Sequence, residues 1–116
     1  MANTFKNAWA DNVSNASATS TMVLNCPSGN SSRCILIGVQ LCNTTSSEIT
    51  ATVVLYDQSE NSENVLVKDA VLPASSMLDV LGGSKIILEE QDQVRVYSNT
   101  ASACNAFVNY LLVDTT

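Results

Sequence analysis

From Ser20 onward, apolar residues recur in short runs separated by clusters of Ser, Thr, Asn, Asp, Gly and Pro. The runs are TMVLN (21–25), CILIGVQLCN (34–43), ITATVVLYD (49–57), NVLVKDAVL (64–72), MLDVL (77–81), KIILEE (85–90), QVRVYS (93–98) and NAFVNYLLVD (105–114). Each is of strand length and rich in β-branched residues, and none shows a helical period. The segment 49–57 alternates at first, with Ile49, Ala51, Val53 and Leu55 on one face and Thr50 and Thr52 on the other. The segment 34–43 is almost continuously apolar, the pattern of a strand buried on both faces. Pro73 and the serines after it stop one ladder by removing a donor. About eight short strands joined by tight polar turns predict an all-β, antiparallel β-sandwich or small barrel.

Residues 1–18 break the pattern. They are rich in Asn, Ala and Ser and carry Phe5 and the sole Trp9. The division expected is an extended N-terminal arm over 1–18 and a β-sandwich domain over 19–116. A frayed first strand is the other reading of 1–18. Isolated aromatics on a polar segment make partner-contact anchors, so Phe5 and Trp9 are the candidate contact residues; a disordered terminus is the plainer account.

Composition narrows the function classes. The 116 residues are 46% apolar and 14% charged, enough for one folded domain. Five Lys and Arg against 11 Asp and Glu give a net charge of −6. That balance repels nucleic-acid backbones and anionic membranes, so neither is an expected partner. Histidine is absent, which removes the usual general base and the commonest metal ligand. The opening residues contain no apolar targeting core, and no run approaches the ~20 residues needed to cross a bilayer. The expectation is synthesis in a cytoplasm. Asn-x-Ser/Thr sequons at Asn12, Asn15, Asn30 and Asn43 then reflect composition.

The candidate chemistry is thin. VLGGSKIIL (80–88) has the look of a phosphate-binding loop, but its lysine follows the serine and a strand former follows both. Gly82 and Gly83 instead read as the positive-φ positions of a hairpin turn. Glu89-Glu90 is a carboxylate doublet at a strand end, and Asp57-Gln-Ser-Glu-Asn-Ser-Glu63 an acidic loop. Both read as solvated turns, since the loop lacks calcium-binding spacing and its glycine. No catalytic residue, cofactor or metal is expected, and the chain reads as a non-enzyme. The spacing of Cys26, Cys34, Cys42 and Cys104 does not fit structural zinc. Cys26 and Cys34 bracket a loop whose ends could meet in a disulfide; Cys42 and Cys104 could face each other across a sheet; buried free thiols are the alternative.

The run LPASSMLDVLGGSKIILEEQDQVRVYS (72–98), with the opening ANTFKNA, resembles short all-β virion proteins of tailed bacteriophages, particularly those of cyanobacterial phages. The shared motifs are structural and name no active residue. The resemblance implies a jelly-roll-like virion component, most of all a capsid decoration or cement protein on the outer surface of the particle. Its partner would be the major capsid protein or another virion protein, and it would be a homo-oligomer, with a trimer favoured. A tail, fibre or neck component, including an adhesin that binds a host receptor or glycan, is the alternative.

Overall fold

The computed structural model describes residues 2–11, 13–15, 20–27, 32–82, 85–100 and 102–114. Nine strands form: β1 (Ala2–Ala10), β2 (Thr21–Asn25), β3 (Arg33–Asn43), β4 (Ile49–Asp57), β5 (Ser62–Leu72), β6 (Met77–Asp79), β7 (Ile86–Leu88), β8 (Gln93–Ser98) and β9 (Cys104–Asp114). They build two antiparallel sheets. Sheet A has the order β1-β9-β3-β6, with β7 also on β3; sheet B has the order β2-β8-β4-β5. Both sheets keep their edges, so the fold is an open sandwich and the barrel alternative does not form.

The pairing has a simple logic. Strands β1, β2, β3 and β4 pair with β9, β8, β6 plus β7, and β5 respectively. The chain is thus one long hairpin, folded at residues 57–62 and rolled up so that its halves stack. That is the double-sheet jelly roll.

One detail differs from expectation, for a local reason. The segment 77–88 is not a hairpin. Both β6 and β7 lie antiparallel on the same edge of β3, at residues 40–42 and 34–36, and Val80 N donates to Val39 O at 2.8 Å between them. Strands β6 and β7 pair with β3 and not with each other, so no hairpin joins them. Gly82 has φ 57, the left-handed conformation glycine adopts freely, whereas Gly83 lies outside the described residues. The N-terminal segment from Ala2 to Ala10 is a strand, the second of the two readings of residues 1–18, and pairs with β9 without a register shift. The boundary at residue 18 lies outside the described residues.

The core between the sheets is aliphatic. Leu36, Val39 and Leu41 from β3, Val53 from β4, Val94 and Val96 from β8, and Val108 from β9 are fully buried. A bulge between Leu36 and Gly38 switches the parity of β3, so Cys34 and Leu36 face the core before it and Val39 and Leu41 after it. Asn43 is the polar pin at the end of β3, buried to 1% exposure. Its amide Nδ2 donates to the carbonyls of Ser47, Leu72 and Pro73 at 2.8, 3.0 and 3.0 Å. Its Oδ1 accepts from Thr45 N and Thr45 Oγ1. One side chain thereby fastens the β3–β4 turn to the end of β5.

Candidate docking face

The outer faces of the two sheets differ in chemistry. On sheet B the row across the strands is Met22, Arg95, Val54 and Val65. Arg95 dominates it. The guanidinium lies 4.4 Å from the Tyr56 ring centroid, pairs with Glu63 at 3.6 Å and donates through Nε to Gln93 Oε1 at 2.7 Å. Tyr56 also hydrogen-bonds Asn61. This face joins the polar cluster around Arg95 to exposed Met22, Val65 and Val71.

Sheet A presents an apolar ladder instead. Phe5 of β1 pairs with Leu111 of β9, Leu111 with Ile35 of β3, and Ile35 with Ile87 of β7. The four side chains cross the whole sheet in one row. Trp9 pairs with Phe107 farther along the same two strands. Between the rows lie Asn7, Asn109 and the bulged Ile37, and a shallow cleft of about 260 Å³ opens among Phe5, Lys6, Asn7, Ile37, Asn109 and Tyr110. Phe5 is 77% exposed, Trp9 62%, Ile87 64% and Ile37 39%. Arg33, paired with Glu89 at 3.7 Å, and Asp79 mark opposite ends of the face. A contiguous apolar surface framed by polar groups is the signature of a protein contact site, because leaving it in water forfeits burial free energy.

The structure places the candidates read from sequence as follows. Phe5 and Trp9 stand on this face, two residues either side of Asn7. Ile35, Ile87, Phe107 and Leu111 complete it and were not singled out by sequence. For Ile35 the signal was the unbroken apolarity of 34–43, of which only one face is core and the other is this surface; Ile87, Phe107 and Leu111 lie in other segments.

Cys26 and Cys34 are both fully buried free thiols, close enough to influence each other's protonation. Cys26 Sγ also lies 3.8 Å from Leu88 O, the register partner of Cys34. Burial, the largest cause for each, pushes both thiols up. Cys42 and Cys104 sit on neighbouring strands but do not face each other. Cys42 is opposite Asn105, and Cys104 opposite Asn43, so the one-residue offset puts the two thiols on opposite faces of sheet A.

The carboxylates serve the turns. Asp57 Oδ1 accepts from Ser59 N, Ser59 Oγ and Glu60 N at 3.0, 2.8 and 3.2 Å, and the Ser59 hydroxyl leads in holding its carboxyl below the usual range. Asp92 accepts from Gln58 N and Glu89 N at 3.1 and 3.0 Å, tying the β4–β5 turn to the β7–β8 turn. Asn43, one of the sequons, is buried; Asn12 and Asn30 lie outside the described residues.

Two sheets in this order place the chain among jelly-roll sandwiches, a class shared by many subunits of larger assemblies. Among solved structures it is similar to a subunit of the Bacillus endospore appendages, a family of disulfide-linked pili, with TM-score 0.56 and 12% identity over 98% of this chain and 89% of that one. It is also similar to a chain of the structure of infectious bursal disease virus Gx strain, with TM-score 0.56 and 10% identity over 95% of this chain and 32% of that one. The VP2 subviral particle of infectious bursal disease virus gives TM-score 0.54 and 6% identity, over 97% and 33% of the chains. At these identities the likeness is one of fold, and the chain spans about a third of the viral chains. No family model and no curated protein matches the sequence.

Proposed function

We propose that this chain is a non-enzymatic structural protein of a virion, a decoration or cement protein that sits on the outer shell. The observation carrying the proposal is the apolar ladder that crosses sheet A from β1 to β7, with Phe5 77%, Ile87 64% and the nearby Trp9 62% exposed. In this reading sheet A docks on a major capsid subunit or another virion protein, and sheet B faces solvent. The work is done by buried area, and no side chain needs to react. The likeness of fold to viral capsid chains and the phage resemblance of residues 72–98 support a place in a particle.

Quantitative mass spectrometry of purified particles tests it. A decoration protein is present in numbers comparable to the capsid subunit, whereas a neck, tail or fibre part is present in few copies. Loss of capsid stability when the chain is removed completes the case; hydrolysis of a cell-wall glycan, abolished by substituting Glu89 or Glu90, ends it.

A filament subunit is the second reading, favoured by the near-full-length match to the endospore appendage subunit. Negative-stain images of the recombinant chain under oxidising conditions separate the two, since a pilus subunit forms filaments without a shell.

A further inference from the structure

We propose that the free edge of β1 is a self-pairing edge, which joins two copies of this chain antiparallel about a twofold axis at Asn7. Unpaired strand edges invite pairing with another chain, and proteins blunt them with short strands, bulges and charges. Here β2 is five residues long with a register shift between Met22 and Leu24. The edge formed by β6 and β7 is split into two three-residue pieces. Strand β5 carries register shifts against Ala51, Val53 and Val54, a positive φ at Asp69, and the charges of Glu63, Lys68 and Asp69.

Strand β1 has none of these devices. Its nine residues pair with β9 without a shift, contain no proline, and include one charge, Lys6. Among the described residues no strand covers its other side.

The sequence of β1, ANTFKNAWA, selects the occupant. With the axis at Asn7, Phe5 stands opposite the partner's Trp9, and Trp9 opposite the partner's Phe5. Directly opposed aromatics are favourable cross-strand pairs, and the axis itself holds two neutral amides. Lys6 falls opposite Ala8, so the strand's only charge meets no like charge. Moving the axis to Lys6 would oppose two ammonium groups, and moving it to Ala8 would separate the aromatics. The pairing also merges the two copies of sheet A into one continuous sheet. Their apolar ladders then lie on the same side, giving a single docking surface twice as wide. A closed twofold contact of this kind does not propagate into filaments.

The pairing needs only the chain itself, so it stands or falls apart from the decoration reading. Sedimentation equilibrium of the isolated full chain should give a dimer. Asn7→Glu and Asn7→Lys each place like charges at the axis and should weaken association on the order of tenfold or more, while an equimolar mixture of the two recovers a one-to-one dimer. As a second measurement, Asn7→Cys should cross-link into a covalent dimer under mild oxidation, and Val65→Cys on β5 should not. A wild-type monomer, a trimer, or a dimer unaffected by Asn7→Glu would overturn the proposal. A dimer that never attaches to a particle would keep it and sink the decoration role instead.

Discussion

Asn43 shows how much one buried amide can govern. All of its hydrogen-bonding atoms are used, with Nδ2 donating to three carbonyls and Oδ1 accepting twice from Thr45. Removing it leaves buried carbonyls without donors, so Asn43→Ala should cost on the order of 3 kcal/mol in chemical denaturation. Asn43→Asp should cost at least as much, because it loses both donors and sets a carboxylate against three carbonyl oxygens. The thiols make a second prediction. Burial, the largest cause, pushes Cys104 from its ordinary value of 9.0 up to about 11. The folded state therefore holds its proton where the unfolded chain has lost it. The resulting stability is complete below 9.0 and is lost as pH rises toward about 11. Under reducing conditions the melting temperature should fall across that window, with Cys26 and Cys34 adding to the fall because burial raises them too. Cys104→Ala should flatten the curve. Without reductant, intact mass will show whether the neighbouring Cys26 and Cys34 lose two hydrogens to a bridge.

At the scale of elements, the interrupted edge strand is the most sensitive place. Gly82 has φ 57 with open space where a Cβ would project, so strain and not collision opposes a side chain there. Gly82→Ala should cost about 1 kcal/mol, and Gly82→Asn less, because asparagine tolerates the left-handed region. Equilibrium unfolding of the pair checks this against Gly38→Ala, where the added Cβ would meet Asn109 Nδ2 at an ordinary 3.7 Å. The strands themselves were legible. The segments 21–25, 49–57 and 93–98 are β2, β4 and β8 to the residue, because each combines β-branched residues with a firm polar stop. The glycine turn misled because local chemistry reports a break in a strand without reporting its partner. Whether β6 and β7 pair with each other or lie end to end on one edge is decided by β3, some forty residues earlier. Strand β1 was ambiguous for a related reason: its alanines and asparagines have weak strand preference, and the ladder on β9 supplies what propensity does not.

For the whole molecule, the question is whether stability and docking are separable. The core between the sheets does not use the outer ladder of sheet A, and Phe5 and Ile87 are mostly in water in the isolated chain. Phe5→Ser and Ile87→Ser should therefore change the unfolding free energy by no more than about 1 kcal/mol. On a particle the same side chains would be desolvated at the centre of a contact. Loss of either should then weaken attachment by about 2 kcal/mol, roughly thirtyfold, if the ladder is the hot spot. Val65→Ser, on the outer face of sheet B and 55% exposed, is the matched control and should leave attachment unchanged. Salt provides an independent reading. Contacts made by Phe5, Leu111, Ile35 and Ile87 carry no charge, so raising ionic strength should leave attachment intact or strengthen it, whereas a contact through the Arg95 face would weaken as its charges are screened. Co-sedimentation of the chain with particles stripped of it, at low and high salt, measures both effects in one series. Attachment lost on Val65→Ser, or released by salt, would assign docking to sheet B and leave the apolar ladder to some other partner.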